Sequence, residues 1–462
     1  MPDPSKLFPK VLARIKPSEK EFQHEMQVAE KFMDKIRAME GSHVRVVLAG
    51  SLARNTHLKE DRDLDIFVLF PKHLSRDQFE REGLKLGKAL FRGHEWELAY
   101  SEHPYVRGNI EGFEAEVVPS YEVEHASELQ SAVDRSPFHL KYLLEKLSEK
   151  QRDEIRLLKQ FLKGIEAYGA DVKVQGLPGY ACELLIVEYG SFWNAVRYMS
   201  RWKEGTIVDV ERQLLRENAR ERFPNSSLII VDPTDAGRNV AAALSKEQFA
   251  RMISASKIFV QKPSIHFFFG KKQTPLKWGK AKNAMQKENI LLFHFPYPKN
   301  ALPDIAWGQM HRLARKLRNA LEKADFSVQR LEAWTDEKHN AFFIVELEET
   351  ELEKSRKRVG PLASNQEASE NFLKAHLHPL NGPRIENGKW VLEEPRADWN
   401  AKEFVLKQFK EWTKVESAAL KKALQNSSAL FEKELKKFYA KDKKFREFFS
   451  GFLKGKEKFL EY

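Results

Sequence analysis

The chain has 462 residues, 42% hydrophobic and 31% charged, and its 78 lysines and arginines outnumber 67 acids to leave a net charge of +11. This composition excludes a disordered or fibrous polymer and leaves room for about three domains at roughly 150 residues each. One cysteine, Cys182, cannot build a disulfide framework or a zinc cluster within a chain, so a reducing, cytoplasmic setting fits. No apolar run is long enough to span a bilayer, the N-terminus is too charged for a signal peptide, and the basic excess points to a polyanionic partner.

Taken in chain order, Ser18 with Glu21 three residues later is a capping-box pattern and predicts a helix over 18–39. An apolar strand follows at 44–49, then Gly50-Ser51 opening a short helix or turn, then a second strand at 64–70. Further strand signals lie at 94–100 and 113–118. The pattern turns helical over 137–169, 179–200 and 245–260, punctuated by Pro178-Gly179 and the Asp232-Pro233 turn. Next come a strand (290–295), a helix (306–323), two strands (328–334 and 341–347), a helix (366–376) and a strand (384–392). That β-α-β-β-α-β order suggests a ferredoxin-like or RNA-recognition-type module, without an RNP-type aromatic signature. Residues 398–462 hold 15 lysines and one arginine against ten acids. Their aromatics recur at spacings of three, four and seven, as in amphipathic helices with an aromatic core face and a lysine-rich face suited to phosphates.

The chemistry concentrates between residues 48 and 68. Gly50 lets backbone approach a ligand, the N–H groups that open a helix at Ser51 favour phosphate, and Arg54 adds a charged donor one turn on. Asp63 and Asp65, one residue apart on a strand, share a face while Leu64 points the other way and Ile66 and Val68 continue the apolar side. Side-by-side carboxylates repel unless a cation bridges them, and hard oxygen donors suit Mg²⁺. Two such ions would clamp the attacking and leaving oxygens of an in-line phosphoryl displacement. A third acid is expected from a neighbouring strand, where Glu114 and Glu116 share a face opposite Ala115 and Val117. A lone Asp-x-Asp or Gly-Ser is commonplace on solvated turns; the serial combination marks a site.

That combination resembles the DNA polymerase beta-type nucleotidyltransferases. The serial order of Gly50-Ser51-x-Ala53-Arg54-Asn55-Thr56, His103-Pro104-Tyr105, Val118-Pro119-Ser120-Tyr121 and Asp134-Arg135-Ser136-Pro137-Phe138-His139 is similar to the archaeal (class I) CCA-adding enzymes. So are Arg156-Leu157-Leu158-Lys159, Tyr168-Gly169-Ala170, Gly176-x-x-Gly179-Tyr180-x-Cys182-Glu183-Leu184-Leu185, Asp232-Pro233-Thr234-Asp235 and Arg238-Asn239-Val240-Ala241, with Gly382-Pro383 and Gly388-Lys389-Trp390 further on.

The resemblance implies a multidomain α+β chain. It would have a nucleotidyltransferase head with a mixed sheet (1–136), a helical neck (137–265), a ferredoxin-like body (266–397) and a basic helical tail (398–462). It implies untemplated addition of C, C and A to the tRNA 3′ end from CTP and ATP with two Mg²⁺ ions, and repair of damaged ends. The tRNA would lie by its acceptor stem and stacked arm along body and tail, with no membrane partner and with dimers as a family precedent. Asp63, Asp65 and Glu116 match the family's metal ligands; the first is often Glu there, and the third is usually Asp, so Glu116 departs by a methylene. Gly50, Ser51, Arg54, Lys159 and Tyr168 match phosphate and nucleotide contacts, Ser136 and His139 the segment closing over the nucleotide, and Arg238 the base-reading region. Asp235 and Asn239 are equally reachable there. The same carboxylates would serve a poly(A) polymerase or oligoadenylate synthetase, which would use ATP alone and extend past three residues. The Glu116 departure also leaves open a catalytically silent RNA-binding protein that keeps the fold.

Overall fold

The structure is a computed structural model and describes residues 6–40, 44–100, 102–125, 128–270, 274–298 and 301–460. The chain divides into two compact units, Met1–Lys271 with Glu457–Tyr462, and Lys272–Lys456. Among the described residues no helix is long and apolar enough to cross a membrane.

The first unit begins with a five-stranded sheet. Its strands are β1 (Arg45–Leu48), β2 (Asp63–Pro71), β3 (Trp96–Tyr100), β4 (Pro104–Ile110) and β5 (Phe113–Glu122), in the order β1-β2-β5-β4-β3. The β2–β5 pair is parallel and the other pairs are antiparallel, which makes the sheet mixed as expected. Leu64, Ile66 and Val68 of β2 are wholly buried in one core with Phe32, Phe79, Ala115 and Val117. The helices Glu19–Glu40 and Arg76–Leu90 cover that face. Phe67, Leu69 and Val118 point to the other face, so the period-two alternation of β2 holds along its length. Two elements were not foreseen. The helix Arg76–Leu90 opens on a capping box between Ser75 and Gln78, and β4 begins at Pro104, inside the His103-Pro104-Tyr105 motif.

The helical part is more broken than its hydrophobic pattern suggests. The 137–169 segment is two helices, Ser136–Lys146 and Glu149–Gly164, because Ser148 caps the second by accepting from Gln151 N–H. The 179–200 segment is likewise Gly179–Tyr189 and Phe192–Met199. Gly190 sits at φ +78°, a left-handed helix end that glycine adopts easily, and Ser191 caps the next helix. The 245–260 helix is present as Lys246–Gln261. These helices share a core containing Phe161, Phe192, Phe259, Phe267 and Phe268, which Phe459 joins by stacking on Phe267. A small sheet of β6 (Thr206–Val208), β7 (Leu228–Asp232) and β8 (Asp235–Asn239) was not foreseen; the expected Asp232-Pro233 turn joins β7 to β8.

The second unit corrects the ferredoxin-like expectation. β9 (Ile290–Pro296), β10 (Val328–Thr335) and β11 (Asn340–Leu347) form one sheet, whose fourth strand is not the expected 384–392 segment. That segment is a hairpin folded about Asn387 and Gly388, both at positive φ, the geometry of a tight two-residue hairpin turn. β12 (Ser355–Leu362) and the two hairpin strands, β13 (Asn381–Glu386) and β14 (Lys389–Pro395), make a separate sheet in the order β12-β14-β13. The helix Gln366–Ala375 packs on it, with Phe372 filling the space over Gly360. The first sheet is completed by β15 (Ser428–Ala429), in the order β10-β11-β9-β15.

Most of the tail aromatics are core residues, while Phe431 is exposed. Phe404, Phe409 and Trp412 pack with Phe293, Phe343 and the helix Pro303–Lys323 on one face of the β9–β11 sheet. Tyr439, Phe445, Phe449 and Phe452 pack with Trp334, Phe342 and Ile344 on the other. Lys410, Lys414, Lys421, Lys433, Lys436, Lys437, Lys443 and Lys444 stay exposed, so the two expected faces of these helices are both present. Deleting residues 398–462 would uncover both sides of that sheet, at a loss of roughly 3–5 kcal/mol for each large buried aromatic. The truncated chain is expected to aggregate or to melt far below the full chain in a circular-dichroism melt; a melting point within a few degrees would contradict this packing.

Candidate active site

The acidic residues are brought together by the parallel β2–β5 pairing. The register sets Asp63 opposite Glu114 and Asp65 opposite Glu116, all on the face away from the Leu64–Ile66–Val68 core. Neither Asp63 nor Asp65 receives a side-chain hydrogen bond or an ion pair from a described residue. Glu116 accepts from Tyr105 Oη at 3.3 Å. Among the described residues no three His, Cys, Asp or Glu side chains are drawn close enough to enclose a metal ion.

Proximity and burial make these carboxylates reluctant to ionise. Burial, then the charges of Asp61, Asp65 and Glu114, raises Asp63 to about 6. Burial and Asp65 raise Glu116 to about 7, against the pull of Arg107 and Tyr105. Burial also raises Asp65, opposed by Arg54 and Lys159. A cation is the natural partner for such a set, and an all-oxygen donor group with unpartnered carboxylates at Asp63 and Asp65 fits a hard divalent ion.

Gly50 explains how Asp65 is seated. Its φ is +66°, and a Cβ built there would lie 1.6 Å from Asp65 Oδ2 and 3.0 Å from Asp65 Cβ. Only glycine lets β1 turn into the short helix Gly50–Ala53 and still leave room for that carboxylate. Ser51 is half-buried beside it, and its hydroxyl has no partner among the described residues.

Arg54 and Lys159, expected to face phosphates, both lie against Glu183, a residue to which the sequence pattern assigns no role. Glu183, on the helix Gly179–Tyr189, is wholly buried. Arg54 donates from Nε to Glu183 Oε1 at 3.1 Å, with Nη2 3.0 Å from Oε2. Thr56 Oγ1 donates to Oε1 at 2.5 Å, and Lys159 Nζ lies 3.6 Å away. Lys159 also donates to Thr56 O at 3.1 Å. Burial pushes Glu183 upward, but Arg54 and Lys159 outweigh it and hold the carboxyl below its ordinary value; burial lowers Lys159. The adjoining loop is pinned as firmly. Buried Arg156 donates to His57 O at 2.9 Å and Asn55 O at 2.8 Å, and His57 Nε2 pairs with Glu25 Oε2 at 2.8 Å. Tyr168 is half-buried, with its hydroxyl and Lys159 Nζ at 3.0 and 3.5 Å from where a Gly179 Cβ would stand.

His139 and Arg238 gather around Asp232, to which the sequence pattern assigns no role either. His139 Nε2 is 2.8 Å from Asp232 Oδ2, and Arg238 Nη1 donates to the same oxygen at 2.8 Å. Tyr180 Oη donates to Oδ1 at 3.3 Å while its ring stacks on His139 at 4.0 Å. Burial opposes ionisation of Asp232, but His139, Thr234 and Arg238 hold it well below the usual carboxylate range. Burial lowers His139 despite that partner. The Arg238 side chain keeps 37% of its surface exposed, so its guanidinium has donors left for a ligand. Ser136 opens the helix that carries His139. Asp235 pairs with Arg135 at 2.9 Å, and Asn239 is spent on backbone groups of β7. One available signal was Glu183 itself, a lone acid in the apolar run Cys182-Glu183-Leu184-Leu185-Ile186.

Three family models match the chain: a nucleotidyltransferase domain over 29–139, a tRNA nucleotidyltransferase second domain over 153–269, and a CCA-adding enzyme C-terminal domain over 288–433. The chain is 36% identical over 381 residues to a CCA-adding enzyme of Methanocaldococcus jannaschii, covering 80% of this chain and 84% of that one. It is 34% identical to that of Archaeoglobus fulgidus, covering 84% and 86%, and 36% identical to that of Sulfurisphaera tokodaii, covering 76% and 80%.

The Gly50–Asp65 contact can be tested on stability alone. Gly50→Ala is expected to lower the unfolding free energy by about 2 kcal/mol, from a strained positive φ plus the clash. In an Asp65→Gly background the penalty should shrink to about 1 kcal/mol, because only the backbone strain is left. Urea denaturation of the four proteins checks this, and equal penalties in both backgrounds would show that the two residues do not touch.

Proposed function

The chain belongs to the archaeal CCA-adding enzymes and is a tRNA nucleotidyltransferase that adds CCA to tRNA, and from that premise we propose that the transfer takes place at Asp63, Asp65 and Glu116 with two Mg²⁺ ions. The observation that carries the assignment is the parallel register that sets Asp65 against Glu116, with Gly50 held to a bare backbone by the Asp65 carboxylate. Enzymes of the nucleotidyltransferase fold generally use divalent metal ions. Asp63 and Asp65 would hold one ion, and both together with Glu116 the other. Such ions lower the pKa of an attacking hydroxyl and screen the charge of a triphosphate.

The tRNA 3′ hydroxyl gives up its proton to solvent, its oxygen forms a bond to the α-phosphorus of CTP or ATP, the bond from that phosphorus to the oxygen bridging the β-phosphate breaks, and pyrophosphate leaves. There is little covalent chemistry for the protein to do, so its part is positioning and charge. In this reading Gly50, Ser51, Arg54, Lys159 and Tyr168 hold the triphosphate. Ser136 and His139 close over the nucleotide, and Arg238, braced by Asp232, offers its remaining donors to the base edge. The four-part division into head, neck, body and tail assigns nucleotide chemistry to the first two. The body and the basic tail, 398–462, carry the tRNA acceptor stem and stacked arm through phosphates. Repair of damaged CCA ends follows from the same chemistry.

Asp65→Ala is expected to lower incorporation of labelled CTP and ATP into tRNA lacking its terminal trinucleotide by at least ~10³-fold, with tRNA affinity retained. Glu116→Asp should stay active. Substantial incorporation by Asp65→Ala would overturn the assignment.

A further inference from the structure

We propose that Glu183 is a positioning residue for the nucleotide, acting through Arg54, Thr56 and Lys159. It sits on the helix Gly179–Tyr189, wholly buried, at the meeting point of three segments distant in sequence. Arg54 ends the turn that begins at Gly50, Thr56 lies two residues on, and Lys159 comes from the helix Glu149–Gly164. Each directs its polar group at one carboxylate, at 3.0–3.1 Å, 2.5 Å and 3.6 Å respectively.

The geometry gives this arrangement its consequence. Arg54 and Lys159 are both held against the Glu183 carboxylate in a site from which water is largely excluded. A guanidinium and an ammonium fixed in this way suit an anion with several oxygens, such as a triphosphate. A buried guanidinium and a buried ammonium side by side would otherwise repel and turn apart; Glu183 fixes both before the ligand arrives, which removes their ordering cost from binding. Removing the carboxylate would leave two unpaired charges free to swing away from the position a phosphate needs.

This inference rests on the reading of Arg54 and Lys159 as triphosphate contacts. The test uses the full chain with Glu183→Gln, Glu183→Asp, Thr56→Val, Arg54→Ala and Lys159→Ala. Steady-state kinetics with CTP and ATP, filter binding of tRNA and thermal melts are recorded for each. Glu183→Gln is expected to raise KM for both nucleotides about tenfold or more, by misplacing two phosphate donors. Its tRNA affinity should be unchanged, and Glu183→Asp should recover part of the loss. Thr56→Val, which deletes one arm and keeps the ion pairs, should raise KM about threefold; it decides the matter if Glu183→Gln does not fold. A folded Glu183→Gln that loses kcat at constant KM, or a folded Thr56→Val with unaltered KM, would overturn the proposal and leave Glu183 a purely structural residue. If Arg54→Ala and Lys159→Ala leave KM unaltered, the triphosphate assignment itself fails. If they raise KM while Glu183→Gln does not, only the positioning role falls.

Discussion

The parallel pairing of β2 with β5 is the constraint on which the proposed active site depends. It forces Asp65 and Glu116 side by side, a placement that electrostatics alone disfavours. The placement persists because the opposite faces of the same strands are sealed in a core. Slipping the register by one residue would turn Leu64, Ile66 and Val68, all wholly buried, toward the acidic face. Hydrophobic burial on one side of the sheet therefore holds like charges together on the other, where burial first and then the neighbouring carboxylates raise Asp63 and Glu116 above their ordinary range.

A second set of interactions fixes the turn that leads into this strand. Arg156 grips the backbone at Asn55 and His57, Glu25 holds the His57 ring, and Glu183 holds Arg54 and Thr56. Buried charges of this kind contribute little net stability, since desolvation offsets most of the attraction, but breaking one partner is costly. Their effect is to permit one arrangement only. The helix Gly179–Tyr189 is central to it: Glu183 holds Arg54 and, three residues earlier, Tyr180 joins the cluster around Asp232.

Much of the head was legible because local periodicity and tertiary burial agree there. The alternation Leu64-Asp65-Ile66-Phe67-Val68 identifies both the strand and its acidic face, and Ser18 with Glu21 marks the first long helix within a residue of its start. The losses have separate causes. Continuous helical patterns concealed helix breaks that depend on single residues, Ser148 and Gly190. The Asn387-Gly388 turn split a strand that looked continuous and removed it from the sheet it was expected to join. Arg54 looked like a free phosphate donor because its partner, Glu183, is 129 residues away; a long-range buried pair leaves no local pattern. In the tail, periodicity gave both faces of the helices, but not the sheet against which the aromatic face would lie.

The central claim is that Asp63, Asp65 and Glu116 together hold divalent cations. It is tested most directly by titrating the full chain with Mn²⁺ in the presence of a non-hydrolysable CTP analogue, and counting bound ions by electron paramagnetic resonance. The account predicts two ions per chain for the native protein and loss of both in Asp65→Asn. Undiminished Mn²⁺ binding by Asp65→Asn would contradict it.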